Sequence, residues 1–224
     1  MKLTKNGKRQ YKEQIYILFA QVANAMANPH RLELLDLLVQ APRTVEELAS
    51  EAFMSIANTS QHLQRLKRAR LVVDERDGLY VRYSLASPDV ARLWLDLRSV
   101  GEQNLAEVER ALDAYRNRRH EFEKISPEEL LSRLTNREVV LLDVRPALEY
   151  QAAHIPGALS IPVDDLANNL DGLPKDKKIV AYCRGLYCIY ADLALELLSS
   201  RGWEVARLEE GVAEWQQAGY SLEV

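Results

Sequence analysis

The sequence predicts two domains: a helix-rich N-terminal domain carrying one β-hairpin, and a C-terminal α/β domain built on a small parallel sheet. Three observations lead there. The first is length: 224 residues, 47% of them hydrophobic and 28% charged, suit one large or two small globular domains with proper cores. The second is charge. The net −4 divides into +4 over residues 1–120 and −8 over residues 121–224, so the basic half is the one suited to a polyanion. The third is a change of pattern near residue 120, from helical periodicity to alternating strands and helices.

In the first half, a helix over about Tyr11–Ala27 carries Ile15, Leu18, Phe19, Val22 and Met26 at helical spacing. Asn28-Pro29 breaks it and starts a second helix over His30–Val39. Thr44-Val-Glu-Glu is a capping box for a third helix to about Ala52, and Ser55 caps a fourth to about Arg70. Two short helices joined by a tight turn, the second rich in Asn, Thr, Ser, Gln and Arg, form a helix-turn-helix. Leu71–Glu75, the turn Arg76-Asp77-Gly78 and Tyr80–Leu85 then form a β-wing, with Asp77-Gly78 supplying positive φ. A fifth helix over about Pro88–His120 would be roughly 50 Å long if continuous. Its stripe of Leu93, Leu97, Val100, Leu105, Val108, Leu112 and Tyr115 is interrupted near Gly101. Such a stripe outruns so small a domain, which favours pairing in a homodimer over packing along the second domain.

In the second half, Ser126-Pro127 starts a helix, and strands are expected at Val139–Val144, Ala158–Ile161, Lys178–Cys183 and Glu204–Leu208. The domain boundary falls near Asn117–Lys124, giving domains of 1–120 and 124–224. Both cysteines, Cys183 and Cys188, flank a loop between a strand end and a helix start. A thiol at the carboxyl edge of a parallel sheet is where such folds place chemistry. Loop N–H groups, the helix N-terminus and Arg184 favour a thiolate or persulfide there. Two cysteines are too few for a disulfide scaffold and suit a reducing compartment. With no long apolar run and no apolar core after the basic N-terminus, a cytoplasmic protein with no membrane association is expected.

The order of elements in residues 10–120 resembles the ArsR/SmtB family of winged-helix repressors. The likeness rests on Met26-Ala-Asn-Pro-His-Arg-Leu, on Met54 through Leu66, and on Leu71-Val-Val with Gly78 through Leu85. It implies a homodimer placing two recognition helices on double-stranded DNA. Asn58, Gln61 and Gln64 have the amide chemistry that pairs with adenine edges, and Arg65 suits guanine or phosphate. Ser55 and Thr59 suit phosphate or thymine methyl, and Arg76 and Arg82 suit the backbone or minor groove. His62 is open between packing and phosphate contact. Many relatives sense metals through Cys or His clusters; this half has no Cys and three scattered His, so no metal and no cofactor are expected.

Residues 124–224 resemble a rhodanese domain, through Leu142-Asp-Val-Arg, Glu149-Tyr with His154-Ile-Pro-Gly-Ala, the Cys183 loop and Glu210-Gly-Val-Ala-Glu-Trp. By that likeness Cys183 is the nucleophile that takes sulfur as a persulfide. Arg184, Gly185, Leu186 and Tyr187 form its six-residue loop with Cys188, and the donor is a sulfane-sulfur compound: thiosulfate, a polysulfide or a persulfidated protein. Asp143 and Arg145 are either catalytic support or a structural ion pair. The related phosphatase loop would need an arginine where Ile189 stands, so phosphatase chemistry is not expected. Cys188 is either a resolving thiol or a small helix-capping residue. Together these features predict a regulator, expected to be a repressor, that senses or relays reactive sulfur. Two other readings stand beside it: a sulfurtransferase whose winged helix only dimerises or docks a partner, and a DNA-binding protein whose second domain is not catalytic.

Overall fold

The computed structural model describes residues 5–116 and 122–224. Helix α1 (Lys5–Met26) is followed by α2 (Pro29–Gln40). Asn28 is extended and its side chain accepts the Arg31 N–H, while Pro29 takes the first helical position, where no N–H is needed. The Arg31 guanidinium then donates to the carbonyls of Asn24 and Ala25, satisfying acceptors that the end of α1 leaves open. After the two-residue strand β1 (Arg43–Thr44), the expected capping box is present at α3 (Val45–Glu51). Thr44 Oγ1 accepts from Glu47 N at 3.2 Å, and the Glu47 carboxylate accepts from Thr44 N at 2.7 Å.

Helix α4 (Ile56–Arg68) follows a tight turn, and β2 (Val72–Asp77) pairs antiparallel with β3 (Tyr80–Leu85). Asp77 pairs with Tyr80, so the turn is Gly78-Leu79, and Gly78 adopts φ +61°. The hairpin therefore runs two residues further than the sequence suggested, because Arg76 and Asp77 continue the ladder. β1 adds to the other side of β3. Leu34, Leu35, Leu48, Leu63, Leu66 and Leu71 close the core.

The long helix is two helices, α5 (Pro88–Asn104) and α6 (Ala106–Arg116). The interruption is at Leu105 rather than Gly101, although Leu105 N still reaches Gly101 O at 2.9 Å; the expected extension to His120 lies outside the described residues. Packing divides the chain into two compact units between Trp94 and Leu95, inside α5. In the first unit, Val90 joins the core and Trp94 Nε1 donates to Asp36 at 2.8 Å.

The second unit holds β4 (Lys124–Ile125), α7 (Pro127–Thr135), β5 (Val139–Asp143), α8 (Ala147–Ala152), β6 (Leu159–Ser160), β7 (Lys178–Tyr182), α9 (Tyr190–Ser200), β8 (Val205–Leu208) and α10 (Val212–Gln217). Two short 3-10 turns, Leu166–Asn168 and Leu170–Gly172, precede β7. All the strands pair in parallel, in the order β4-β8-β7-β5-β6. The near-continuous apolar strands reflect a sheet covered on both faces. Ile179, Ala181 and Leu142 face Leu195 and Leu198, while Val180, Tyr182 and Leu141 face Leu130, Ile155 and Trp215. The order puts β7 at the centre, so the residue after it, Cys183, leaves the middle of the sheet's carboxyl edge. The four strands read from the sequence all form, and the two-residue strands β1 and β4 are additions. No helix among the described residues is long and apolar enough to cross a membrane.

Candidate functional site

Two sets of side chains carry the expected chemistry, one in each unit. In the first, Ser55 caps α4 by accepting from Asn58 N at 3.3 Å. Asn58, Gln61 and Arg65 are exposed on this helix. Gln64 donates to the Tyr83 hydroxyl at 3.0 Å, which ties it to the wing. Arg76 is exposed near the wing tip. Arg82 sits at the wing base, where it donates to Pro42 O at 3.2 Å and lies 3.9 Å from Glu47.

Two of the expected DNA-contacting residues are turned inward. Thr59 is fully buried and its hydroxyl donates to Ser55 O at 3.1 Å, because its helical phase is that of Leu63 and Leu66. His62 is 8% exposed, its ring centroid stands 5.6 Å from that of His30, and burial pushes its pKa down. Packing is therefore the better account of His62. The sequence reading overlooked Arg68, exposed two turns beyond Gln61 on the same face; spacing of i, i+7 is the signal that would have found it.

The second set surrounds Cys183, which is 2% exposed. Its Sγ lies 3.5 Å from Cys188 O and 3.9 Å from Gly185 O. The two thiols are hydrogen-bonded to each other, and the Cys188 sulfur also accepts the backbone N–H groups of Tyr190 and Arg184. Burial pushes the Cys183 thiol well above its ordinary range. The hydrogen bond from Cys183 brings Cys188 down to about 7. The negative charge of the pair thus rests first on Cys188, the less buried sulfur.

Arg184 does not supply an uncompensated charge. Its guanidinium forms a fork on the fully buried Glu149 (2.9 and 3.1 Å from Nε, 2.5 Å from Nη2) and lies over the Tyr190 ring. Asp143 and Arg145 are both fully buried and paired at 2.7 Å. Asp143 also accepts from Arg145 N and from the Tyr182 hydroxyl, and Arg145 donates to Ala153 O. These bonds tie together the ends of β5 and β7 beside the cysteine loop. Tyr182, which precedes Cys183, is held at its hydroxyl by this pair and by Ile155 N.

Arg207, which the sequence reading passed over, pairs with Asp192, reaches Cys188 O at 3.4 Å and favours the Cys183 thiolate. Gly185 and Leu186 lie in the loop between the sulfurs, and Tyr187 is exposed at its rim. No group of three or more His, Cys, Asp or Glu suited to a metal occurs among the described residues.

A model of the arsR family of bacterial regulatory proteins matches residues 28–73, and a model of the rhodanese-like domain matches residues 126–218. The chain is 42% identical over 217 residues to the HTH-type transcriptional regulator Rv0324 of Mycobacterium tuberculosis, covering 97% of this chain and 95% of the relative. The chain belongs to the arsR family of transcriptional regulators. This arsR-family regulator carries a C-terminal rhodanese-like domain, and that part is similar to a sulfurtransferase of Allochromatium vinosum. The identity there is 32% over 100 residues, covering 44% of this chain and 92% of the relative. A solved homodimeric winged helix-turn-helix domain from Mycobacterium bovis, described as a possible ArsR-family regulator, is 38% identical. It has a TM-score of 0.41 and covers 43% of this chain and 89% of that one.

Proposed function

We propose that this regulator is a homodimeric repressor whose Cys183–Cys188 pair takes up sulfane sulfur and thereby changes operator occupancy. The observation that carries the reading is the pair of free thiols at the two ends of one loop at the carboxyl edge of the sheet, with Cys183 Sγ 3.5 Å from Cys188 O. Cys183 passes its proton to Cys188 and attacks the outer sulfur of a donor such as thiosulfate. The donor's S–S bond breaks and sulfite leaves with the electron pair. Cys188 then attacks the Cys183 sulfur, closing a disulfide and expelling the terminal sulfur as hydrogen sulfide. Two thiols are oxidised and one sulfane sulfur is reduced, so no further oxidant is needed.

Dimer formation is supported by large apolar side chains left exposed among the described residues. Ile15, Leu18 and Phe19 of α1 and Leu97 and Val100 of α5 are all exposed. Ser55, Asn58, Gln61, Arg65 and Arg68 on α4, with Arg76 on the wing, are the side chains offered to DNA. A coupling of about 1–3 kcal/mol between sulfur and DNA would alter occupancy about 5- to 150-fold.

The test is intact mass of the reduced protein after a sulfane-sulfur donor, with and without cyanide, beside operator binding under the same conditions. The expected result is a loss of two hydrogens with altered DNA affinity in wild type, added sulfur that cyanide removes in Cys188→Ser, and neither product in Cys183→Ser. Equal DNA affinity of the reduced and loaded protein would sink the regulatory half of the reading. A second reading, a sulfurtransferase whose winged helix only dimerises or docks a partner, is favoured by the near full-length similarity to the Allochromatium protein. Cyanide-dependent turnover without sequence-selective, salt-dependent DNA binding would decide for it.

A further inference from the structure

The second unit begins at Leu95, so the C-terminal half of α5 belongs to it, and that half lies against the cysteine loop and the start of α10. Three polar contacts make the junction. Asp96 accepts from Gln217 Nε2 at 3.2 Å, Arg98 is paired with Glu214, and Glu102 accepts from the Tyr187 hydroxyl at 2.5 Å. Arg98 also stands 5.4 Å from the Tyr187 ring centroid and 3.5 Å from Glu102. Arg98 and Glu102, one turn apart on α5, therefore face the same rim residue.

Glu214 joins this helix to the loop backbone. One of its oxygens takes Arg98, and the other accepts Gly211 N at 2.9 Å. The same carboxylate stands 3.0–3.1 Å from where a Cβ on Gly185 would be. A Cβ on Gly211 would come within 2.6 Å of the Arg184 carbonyl carbon and 2.8 Å of Gly185 N. The backbone from Arg184 to Gly185 is thus pressed on the Gly211–Glu214 turn, leaving no room for even a methyl group.

Chemistry at the cysteines must disturb this packing. A persulfide adds an S–S bond of about 2.05 Å to a sulfur that is 2% exposed and already 3.5 Å from Cys188 O. A Cys183–Cys188 bond instead draws the last residue of the loop toward its first. Both products displace the backbone between Gly185 and Tyr187, which is the stretch that Glu214 and Glu102 hold.

We propose that Arg98 and Glu102 are positioning residues by which α5 reads the state of the cysteine loop, docked through Glu214 and Tyr187 when the thiols are reduced and released when they carry sulfur. The trigger rests on the sulfur-uptake reading above; the docking contacts do not. Because α5 begins with Val90 and Trp94 in the core of the first unit, its release acts on a helix anchored there.

The test uses the full chain and follows hydrogen exchange of the peptide covering 95–104, together with binding to DNA from upstream of its own gene. Arg98→Met keeps the aliphatic stem, and Glu102→Ala keeps a strong helix former. In the reduced state both variants are expected to speed exchange over 95–104 and to change DNA affinity at least fivefold, a step that needs no sulfur. Treatment of wild type with the sulfane-sulfur donor, followed by mass, is expected to produce the same two changes, and a thiol reductant to reverse them. Unchanged exchange and affinity in both reduced variants would overturn the inference, as would sulfur loading of wild type that leaves 95–104 protected. If the variants respond but no sulfur is taken up, the docking role of Arg98 and Glu102 stands and the sulfur reading fails.

Discussion

The recognition helix α4 and the cysteine loop are both short, polar and central to the proposed function, yet they are built in opposite ways. On α4 the residues suited to DNA are exposed, and only Gln64 is held by a neighbouring element, through Tyr83. Around Cys183 each arginine has a carboxylate: Arg145 has Asp143, Arg184 has Glu149, Arg207 has Asp192 and Arg98 has Glu214. The first surface leaves its hydrogen bonds for a partner to complete. The second pairs its charges within the fold and leaves two free thiols beside them.

That contrast is broken most severely by removing one member of a buried pair. Arg145→Ala leaves Asp143 charged and fully enclosed, and is expected to cost about 3–5 kcal/mol in the unfolding of the second unit, read by chemical denaturation. The first unit's transition should be unmoved, since Asp143 and Arg145 both belong to the second. Next comes the thiol pair. Cys188 is expected to be half thiolate near pH 7, against an ordinary value of 9.0, because Cys183 donates to it. As its folded pKa is lowered, the thiolate and the stability it brings persist above that value and are lost as pH falls through about 7. Alkylation followed by mass should slow about tenfold per unit below it, and Cys183→Ser should move the midpoint upward.

A smaller effect is expected on the exposed surface. Gln61→Ala should weaken specific DNA binding by about 1–3 kcal/mol while altering stability by less than about 0.5 kcal/mol. Arg68→Ala should lower the salt dependence by about one charge. The smallest is Thr59→Val, expected to destabilise by about 1 kcal/mol through the lost bond to Ser55 O with DNA specificity intact. A change of specificity there would mean that Thr59 turns outward on DNA.

The same division explains what could be read in advance. Signals confined to a few residues were legible: the Thr44–Glu47 box, Asn28-Pro29, Ser126-Pro127 and Gly78 each act within their own turn. So were the central strands, whose unbroken apolar runs need two covered faces. The pairing of Arg184 with Glu149 or of Arg98 with Glu214 spans 35 and 116 residues and has no local pattern. Arg184 was accordingly expected to bear on the thiol as an unpaired charge; it still favours the Cys188 thiolate, but with its guanidinium matched by Glu149. Thr59 failed for a different reason: its residue type fits DNA, but its helical phase fits the core, and phase prevails.

The division of the chain inside α5 has a practical consequence for anyone who would study the sulfur chemistry in isolation. A fragment starting at residue 126, where the rhodanese-like match begins, lacks Asp96, Arg98 and Glu102. Gln217, Glu214 and Tyr187 then lose the helix they rest against, and the loop backbone over Gly211 loses its clamp. Reaction rates measured on such a piece describe a looser thiol pair than the one in the whole regulator, and a fragment starting at Leu95 is the fairer test.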